Sequence, residues 1–361
     1  MTTLRLFADP AQIDAPTTRD AIAHAARILH AGGLVALPTE TVYGLGANAL
    51  NAPAVARIFA AKERPHWDPV IVHIAGPATA NNPMLRALVT EIPAAACKLI
   101  KAFWPGPMTL LLPRSAAVPD SVTAGRPLVG IRMPAHPVAL RLIEQAGVPI
   151  AAPSANRFGH ISPTTAQHVL DDLEDRIDAI LDAGPTLHGV ESTVLDPTQS
   201  PIIVYRPGAI TLKQIRSVAG PAQLFKPEKP LTGAPAPDGI EALPSPGVSI
   251  RHYAPKASLY LVEGPRADLP RLLAEAAAQH TGARLGLLLP TDFAAAPELS
   301  AVAAVRFDWG HWSAPEELAA RLYSGLRALD HAGCTVLLCP LPPADGIGAA
   351  LRDRLRKAAA Q

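Results

Sequence analysis

Cysteine is scarce in this chain: Cys97, Cys334 and Cys339 are all that its 361 residues contain. The number is odd, and the four residues between the last two fit neither CxxC nor a zinc knuckle, so a disulfide-stapled scaffold is excluded and reduced thiols in the cytoplasm are expected. Aromatic residues make up 4%, which leaves little stacking surface for nucleic acid. Charge of one sign is lacking too. Lys plus Arg is 32 and Asp plus Glu is 31, a net charge of +1, so no global field draws nucleic acid or anionic lipid and any basic site must be local. No apolar run approaches the roughly 20 residues of a membrane span, and MTTLRLFADPAQIDAP lacks the apolar core of a secretory signal. With 17% charged and 49% hydrophobic residues the chain is not built like a disordered one, and its length fits about two domains of roughly 150 residues.

What the chain has in excess is proline, 39 residues or about 11% against a usual ~5%. Pro221, Pro227, Pro230, Pro235, Pro237, Pro244 and Pro246 fall in PAQLFKPEKPLTGAPAPDGIEALPSP, which shows neither helical nor strand period. Proline pre-sets φ, so residues 216–256 read as a stiff strap. This divides the chain into a first domain at 1–215 and a second at 257–361.

The first domain alternates helix and strand. Thr18 is a candidate cap for a helix burying Ile22, Ala25, Ala26 and Leu29 and ending at Gly32-Gly33. A second helix starts at Asn51 and stops by Arg64, because Pro65 disfavours helical backbone before it. LVALP (34–38), VIVHI (70–74), MTLLL (108–112), LVGIRM (128–133), VPIAA (148–152), DAILDA (178–183) and PIIVY (201–205) are short, apolar and rich in β-branched residues, hence strands. Helices are expected near 91–103, 136–146 and 164–175. Some connections are too short for a helical crossover, which predicts mixed strand directions. The second domain repeats the alternation, with strands at 258–262, 284–289 and 335–339 and helices at 266–279 and 315–332, as in a small doubly wound α/β unit.

In such folds the chemistry sits in loops at strand ends. PTETVYGLGAN (38–48) places hydroxyls, a carboxylate and a phenol after a strand; it is either a Gly-rich turn or part of a site, and no GKS or GKT makes it a Walker loop. In AKERPHWDPVIVHI (61–74), Lys62 and Arg64 either complement a helix terminus or share a cleft suited to polyphosphate. His73 is either a hydrogen-bonded core residue or a site residue. Arg132 closes its strand as a carboxylate or phosphate clamp, or as half of a structural ion pair. PSANRFGHISPTT (153–165) is either a phosphate-cradling loop or a helix-capping turn, and GVESTVLD (189–196) and YRPG (205–208) add Ser192 and Arg206.

Taken in order, PTETVYGLG, KxRPxxxPxIVHI, FWPGPMTLLLP, VGIRMP, PSAN…G…SPT, GVESTVLD and YRPG closely resemble the YrdC-like threonylcarbamoyl-AMP synthases over about residues 30–210. The proline strap ending in RHYAP (251–255), followed by a small α/β domain, is similar to the long two-domain form of that family. The resemblance implies a YrdC-like twisted mixed sheet with helices, plus a small C-terminal Rossmann-like α/β domain. It also implies a reaction in which L-threonine, bicarbonate or CO2, and ATP give threonylcarbamoyl-AMP and pyrophosphate. The product would pass to a downstream transferase complex for N6-threonylcarbamoyladenosine in tRNA. Carried over residue by residue, Lys62, Arg64, Ser154 and Asn156 match the nucleotide-binding signature, with Lys62 and Arg64 catalytic. Ser162, Arg206 and Tyr253 match further ATP contacts, and Thr41, His73, Arg132, Ala152 and Ser192 match the threonine positions. Magnesium would arrive on ATP, not on protein ligands. Asp68 stands where the family commonly has Asn, setting a carboxylate near the phosphates to repel them or help hold Mg²⁺. The lead-in PGVSIRHYAP also departs from the commoner pattern.

A carbamate is already a nucleophilic oxyanion, so the step would need positioning and positive charge rather than a strong base, and no His–Asp or carboxylate pair appears in these motifs. Arg251, His252 and Tyr253 make the strap either a lid for an adenylate that water would destroy or a passive spacer between domains. The alternatives are an RNA-binding module, for which weak RNA binding would be the sign, and a regulatory nucleotide-binding relative without synthase activity. A hydrogenase-maturation carbamoyltransferase is excluded, since its acylphosphatase-like part and paired CxxC motifs are missing.

Overall fold

The computed structural model describes residues 2–226, 235–236, 239–240, 243, 245, 247, 253–293, 299 and 303–360. It divides into two compact units, one formed by Met1–Phe158, Ser162–Leu187 and Glu191–Ser249, the other by Gly159–Ile161, His188–Val190 and Ile250–Gln361. Among the described residues no helix is long and apolar enough to cross a membrane.

The first unit carries strands β1 (Leu4–Phe7), β2 (Val35–Leu37), β3 (Gly44–Asn48), β4 (Ile71–His73), β5 (Met108–Pro113), β6 (Leu128–Arg132), β7 (Ile150–Ala151), β8 (Ala179–Asp182), β9 (Thr193–Asp196), β10 (Ile202–Arg206) and β11 (Ala222–Leu224). They form one sheet in the order β1-β8-β2-β3-β7-β4-β6-β5-β9-β10-β11. Directions are mixed, as the short connections require: β2 and β3 pair antiparallel across the brief link 38–43, whereas β4 and β6 pair parallel. The helices are α1 (Pro16–His30), α2 (Ala52–Lys62), α3 (Pro83–Leu88), α4 (Ala94–Phe103), α5 (Asp120–Thr123), α6 (Pro137–Ala146), α7 (Ala166–Leu173) and α8 (Leu212–Ala219). Both faces of the sheet are covered. Val35 and Leu37 join the core under α1 and α6, while Ala36 between them joins the core with Val55, Ile58 and Phe59 of α2. A short apolar run without polar alternation is the signature of such a two-sided strand.

Local chemistry sets the helix ends. Asn51 caps α2 by accepting from the Ala54 amide at 3.1 Å. Thr18 does not cap α1: Ala15 holds the N-cap position, and the Thr18 hydroxyl accepts from the Asp9 amide at 3.1 Å inside the first turn. Sequence periodicity also misses β1, β3, β9 and α3. PTETVYGLGAN, read as either a Gly-rich turn or part of a site, contains β3, where Gly46 is required because a Cβ would lie 2.8 Å from Leu37 Cδ2 and 2.9 Å from Ile150 Cγ2. The boundary drawn at residue 215 falls inside α8, and β11 beyond it completes the sheet edge against β10. Two further strands, β12 (Pro235–Ala236) and β13 (Gly239–Ile240), pair antiparallel.

In the second unit β14 (Ser258–Val262), β15 (Leu285–Leu289), β16 (Val305–Asp308) and β17 (Val336–Pro340) form an all-parallel sheet in the order β14-β17-β15-β16. Helix α9 (Leu269–Ala278) packs on Leu285, Leu287 and Leu289. The helix Pro315–His331 meets the opposite face, where a Cβ on Gly325 would lie 2.5 Å from Leu288 Cδ1. Helices on both faces of a parallel sheet are the expected doubly wound arrangement; β16 and the last helix, Gly348–Ala359, were not legible from the pattern.

One glycine ties fold to site. A Cβ at Gly208 would sit 2.4 Å from the Thr193 nitrogen and 2.7 Å from the Glu191 carbonyl oxygen, both backbone atoms that cannot swing aside. Gly208→Ala is therefore expected to lower stability by about 1–3 kcal/mol in urea denaturation. An unchanged midpoint would show that this approach is looser than drawn.

Candidate functional site

Strand register assembles the centre of the site. His73 pairs with Arg132, Arg132 with Thr109, Thr109 with Val194, and Val194 with Arg206, so one row crosses β4, β6, β5, β9 and β10. Arg132 is 4% exposed, and each arm of its guanidinium has a protein partner. Nε donates to the Gly106 carbonyl at 3.3 Å and Nη1 to Thr41 Oγ1 at 2.8 Å, while Nη2 lies 2.7 Å from Glu40 Oε1. Thr39 Oγ1 donates to the Val42 carbonyl at 2.6 Å, which fixes the turn that presents Glu40 and Thr41. Thr39 has one hydroxyl proton, so across the 2.8 Å contact with Thr41 it is Thr41 that donates.

His73 is fully enclosed. Burial and the adjacent Arg132 charge push its pKa down to about 3, so the ring is neutral at any physiological pH. Ala152 is buried nearby, its amide donating to the Ile71 carbonyl at 2.9 Å.

A second cluster gathers the remaining cations. Glu63, not Pro65, ends α2: it adopts a left-handed φ of 55° and stays exposed, paired with Arg157 and Arg176. The reversal turns both neighbours inward. Lys62 is 1% exposed and donates from Nζ to the carbonyls of Ser154, at 2.5 Å, and Asn156. Arg64 donates to the carbonyls of Asp68, at 3.1 Å, and Pro69, at 2.7 Å, and pairs with Asp68 Oδ2 at 2.9 Å. Asp68 is 1% exposed, its Oδ2 paired with Arg64 and its Oδ1 without a hydrogen-bond partner, with Lys62 and Arg206 also acting on its charge. Burial and the nearby Arg64 hold the Lys62 pKa well below its ordinary value.

Arg206 joins the two clusters. It donates from Nε to the Ser192 carbonyl at 3.0 Å and from Nη2 to Ser192 Oγ at 3.1 Å, and Ser192 Oγ lies 2.8 Å from Thr109 Oγ1. Ser162 is buried and donates to Glu191 Oε1 at 2.6 Å. Within 153–165 the helix-capping role falls to Thr165, which accepts from the His168 amide at 3.2 Å, while Asn156 and Ser162 are buried and Ser154 is half-buried. Of the strap, Leu243 is buried and donates its amide to the Trp67 carbonyl, between Arg64 and Asp68 in sequence. Tyr253 is the remaining residue that the motifs single out. It belongs to the second unit, has a left-handed φ of 63°, and stacks on Tyr323 at 5.7 Å with Arg354 5.3 Å from its ring. Arg251 and His252 lie outside the described residues.

Comparisons with known proteins give the family. A family model described as "Telomere recombination", covering Sua5, YciO and YrdC, matches residues 27–208, and one described as "Threonylcarbamoyl-AMP synthase, C-terminal domain" matches residues 210–360. The threonylcarbamoyl-AMP synthase of Pyrococcus abyssi is 43% identical over 92% of each chain, and that of Bacillus subtilis is 42% identical over 99% of this chain and 98% of its own. The crystal structure of P. abyssi Sua5 complexed with L-threonine superposes with a TM-score of 0.84 at 40% identity, covering 99% of this chain and 98% of that one. This chain belongs to the threonylcarbamoyl-AMP synthase family.

In this member of the family, Glu40, Thr109 and Glu191 hold the residues that the motifs single out, and motif reading passed over all three. Each lies inside a quoted motif, but its partner is far along the chain, at Arg132, Ser192 and Ser162. Among the described residues no group of three or more His, Cys, Asp or Glu is placed to hold a metal.

The buried His73 has a consequence for acid stability. Its folded pKa of about 3 lies below the unfolded value near 6.5, so the unfolded chain gains a proton first as pH falls. Stability should then decline from about pH 6.5 toward pH 3, by at most about 1.4 kcal/mol per pH unit from this residue. His136, also held below its ordinary value by burial, acts in the same sense. In urea titrations across this window, His73→Asn should show a shallower decline; an identical slope would refute the assignment.

Proposed function

We propose that this chain condenses L-threonine, bicarbonate or CO2, and ATP into threonylcarbamoyl-AMP and pyrophosphate. The observation that carries the reading is the Arg206–Ser192 hydrogen bond at 3.1 Å, which abuts a cluster of three phosphate-suited cations on a cluster suited to an amino acid. Lys62, Arg64 and Arg206 would take the polyphosphate with Ser154, Asn156 and Ser162 around them; Thr41, His73, Arg132, Ala152 and Ser192 would surround threonine.

The chemistry follows from that division. The threonine ammonium first gives up a proton to water, and the neutral nitrogen then bonds to the bicarbonate-derived carbon, with loss of water from bicarbonate or of a second proton with CO2. A carbamate oxygen then attacks the α-phosphorus, and the bond to pyrophosphate breaks. Negative charge grows on the phosphoryl oxygens and the leaving group, where Lys62, Arg64 and Arg206 offset it. Neutral His73 orients the amino acid by hydrogen bonding and leaves the carboxylate to the guanidinium. Magnesium, on this reading, is bound by ATP oxygens and water, the usual habit of this hard, hydrated ion. Asp68, the carboxylate at hand, is engaged by Arg64 and does not by itself make a cation cage. The strap, whose Leu243 amide bonds the Trp67 carbonyl, would shield the mixed anhydride from water. Tyr253 as an ATP contact rests on the family resemblance alone, since its ring is packed in the second unit. The product would feed a downstream tRNA-modifying transferase in the cytoplasm.

Pyrophosphate release by the purified protein with ATP and Mg²⁺ is expected to require both threonine and bicarbonate. Serine should be poorer by the worth of one methyl, about 1–3 kcal/mol. Equal release in degassed, bicarbonate-free buffer would overturn the reaction.

The two clusters should also separate by calorimetry. Lys62→Glu should abolish ATP binding and spare threonine, while Arg132→Leu should cost threonine about 2–5 kcal/mol and spare ATP. Parallel losses of both ligands in both variants would show the cleft wrongly divided.

A further inference from the structure

Glu40 is the carboxylate of the amino-acid cluster that the proposed mechanism leaves unused. It is 5% exposed, and it touches the Arg132 guanidinium through Oε1 at 2.7 Å. Its other oxygen, Oε2, is enclosed and has no partner at good hydrogen-bond geometry, although the amides of Glu40 and Ala135 lie near enough to the carboxylate to act on it. A buried carboxylate with unfilled acceptor positions is costly unless something supplies donors. Burial alone would raise its pKa, but the Arg132 charge and the neighbouring amides of Glu40 and Ala135 outweigh that and leave it lowered, so the group is an anion. The ionisable rings at hand are uncharged: His73 is neutral, and His136, which senses Glu40, is held below its ordinary pKa by burial. Arg132 and Glu40 therefore present one positive and one negative charge side by side. A free amino acid is a zwitterion with the same two charges.

We propose that Glu40 receives the α-ammonium group of the amino-acid substrate on the carboxylate oxygen that Arg132 does not engage. An ammonium brings three donors to the group that lacks them, while the substrate carboxylate meets Arg132 and Thr41. The pair then recognises an α-amino acid as such, and side-chain selectivity falls to the surrounding residues. This rests on reading the Arg132 cluster as the amino-acid site. A bystander Glu40 that merely orients Arg132 would instead affect every carboxylate ligand alike.

The test compares L-threonine with 3-hydroxybutyrate, which keeps the carboxylate and hydroxyl but lacks the amino group, and with threoninol, which keeps the ammonium and lacks the carboxylate. In calorimetry on the wild-type protein, 3-hydroxybutyrate should bind at least tenfold more weakly than threonine. In Glu40→Gln, threonine and threoninol should each weaken at least tenfold while 3-hydroxybutyrate changes less than twofold, and Glu40→Asp should recover part of the loss. Equal losses for threonine and 3-hydroxybutyrate, or unchanged threoninol binding, would overturn the proposal. Should Glu40→Gln fail to fold, the wild-type comparison still decides: equal affinity for threonine and 3-hydroxybutyrate overturns it. Absence of threonine binding to the wild-type protein overturns the proposal together with the reading beneath it.

Discussion

A guanidinium carries five N–H donors and a charge it cannot give up, so burying one obliges the surrounding chain to provide acceptors. Arg132 meets that demand from stretches far apart in sequence: Gly106 after α4, and Glu40 and Thr41 after β2. Each stretch is itself fixed, the first by the Gly106 amide donating to the Met133 carbonyl at 2.8 Å, the second by the Thr39 hydroxyl. Removing the arginine would leave Glu40 an uncompensated buried anion, a larger penalty than the loss of the contact itself. The positions of loop 38–43, of the turn before β5 and of the end of β6 are therefore one problem with one solution.

The cation cluster solves a different problem by different means. Two basic residues separated by one position diverge on a continuous helix. Here the helix stops between them, and the left-handed Glu63 turns outward while Lys62 and Arg64 turn inward. Lys62 is then held by carbonyls of the 153–156 segment, so the helix end and the PSAN loop fix each other. Carbonyl dipoles are a weak counterweight to a buried ammonium, which is why its pKa falls. An arriving polyphosphate would reverse that, binding tightly to groups that are poorly satisfied without it. Asp68 is best understood in the same terms, as the carboxylate that keeps Arg64 in place before any phosphate arrives.

Much of this was legible in the sequence, and what was not has identifiable causes. Apolar, β-branched runs such as VIVHI and LVGIRM become strands because both sheet faces are covered, and Arg132 falls at a strand end as the pattern says. β3 was hidden because GLGAN has the composition of a turn; its glycines serve close packing against Leu37, Ile150 and Ala152 instead. Glu63 was hidden because a left-handed residue is usually glycine or asparagine, and here its ion pairs with Arg157 and Arg176 hold a glutamate in that conformation. The alternatives left open at Arg132, clamp or structural ion pair, turn out not to exclude each other. The ion pair with Glu40 depends on a contact spanning more than ninety residues, and no local pattern encodes it.

The two clusters differ in charge in a way that suits a reaction with a changing intermediate. Around Arg132 one cation meets one anion and the imidazole is neutral, an environment matched to a substrate with no net charge. Around Asp68 three cations act on one carboxylate, an environment matched to an anion. Threonine enters as a zwitterion, but carboxylation of its nitrogen removes the positive charge and adds a negative one. On the proposed reading the carbamate would no longer fit the balanced side, and its new oxyanion would be drawn toward Arg206, which already touches Ser192 at the border. On the proposed reading the charge change that creates the nucleophile would also direct it toward the α-phosphorus, so the attack itself would need no strong general base and fixed charges, from the strand row and from the helix end at Lys62 and Arg64, would carry most of that step.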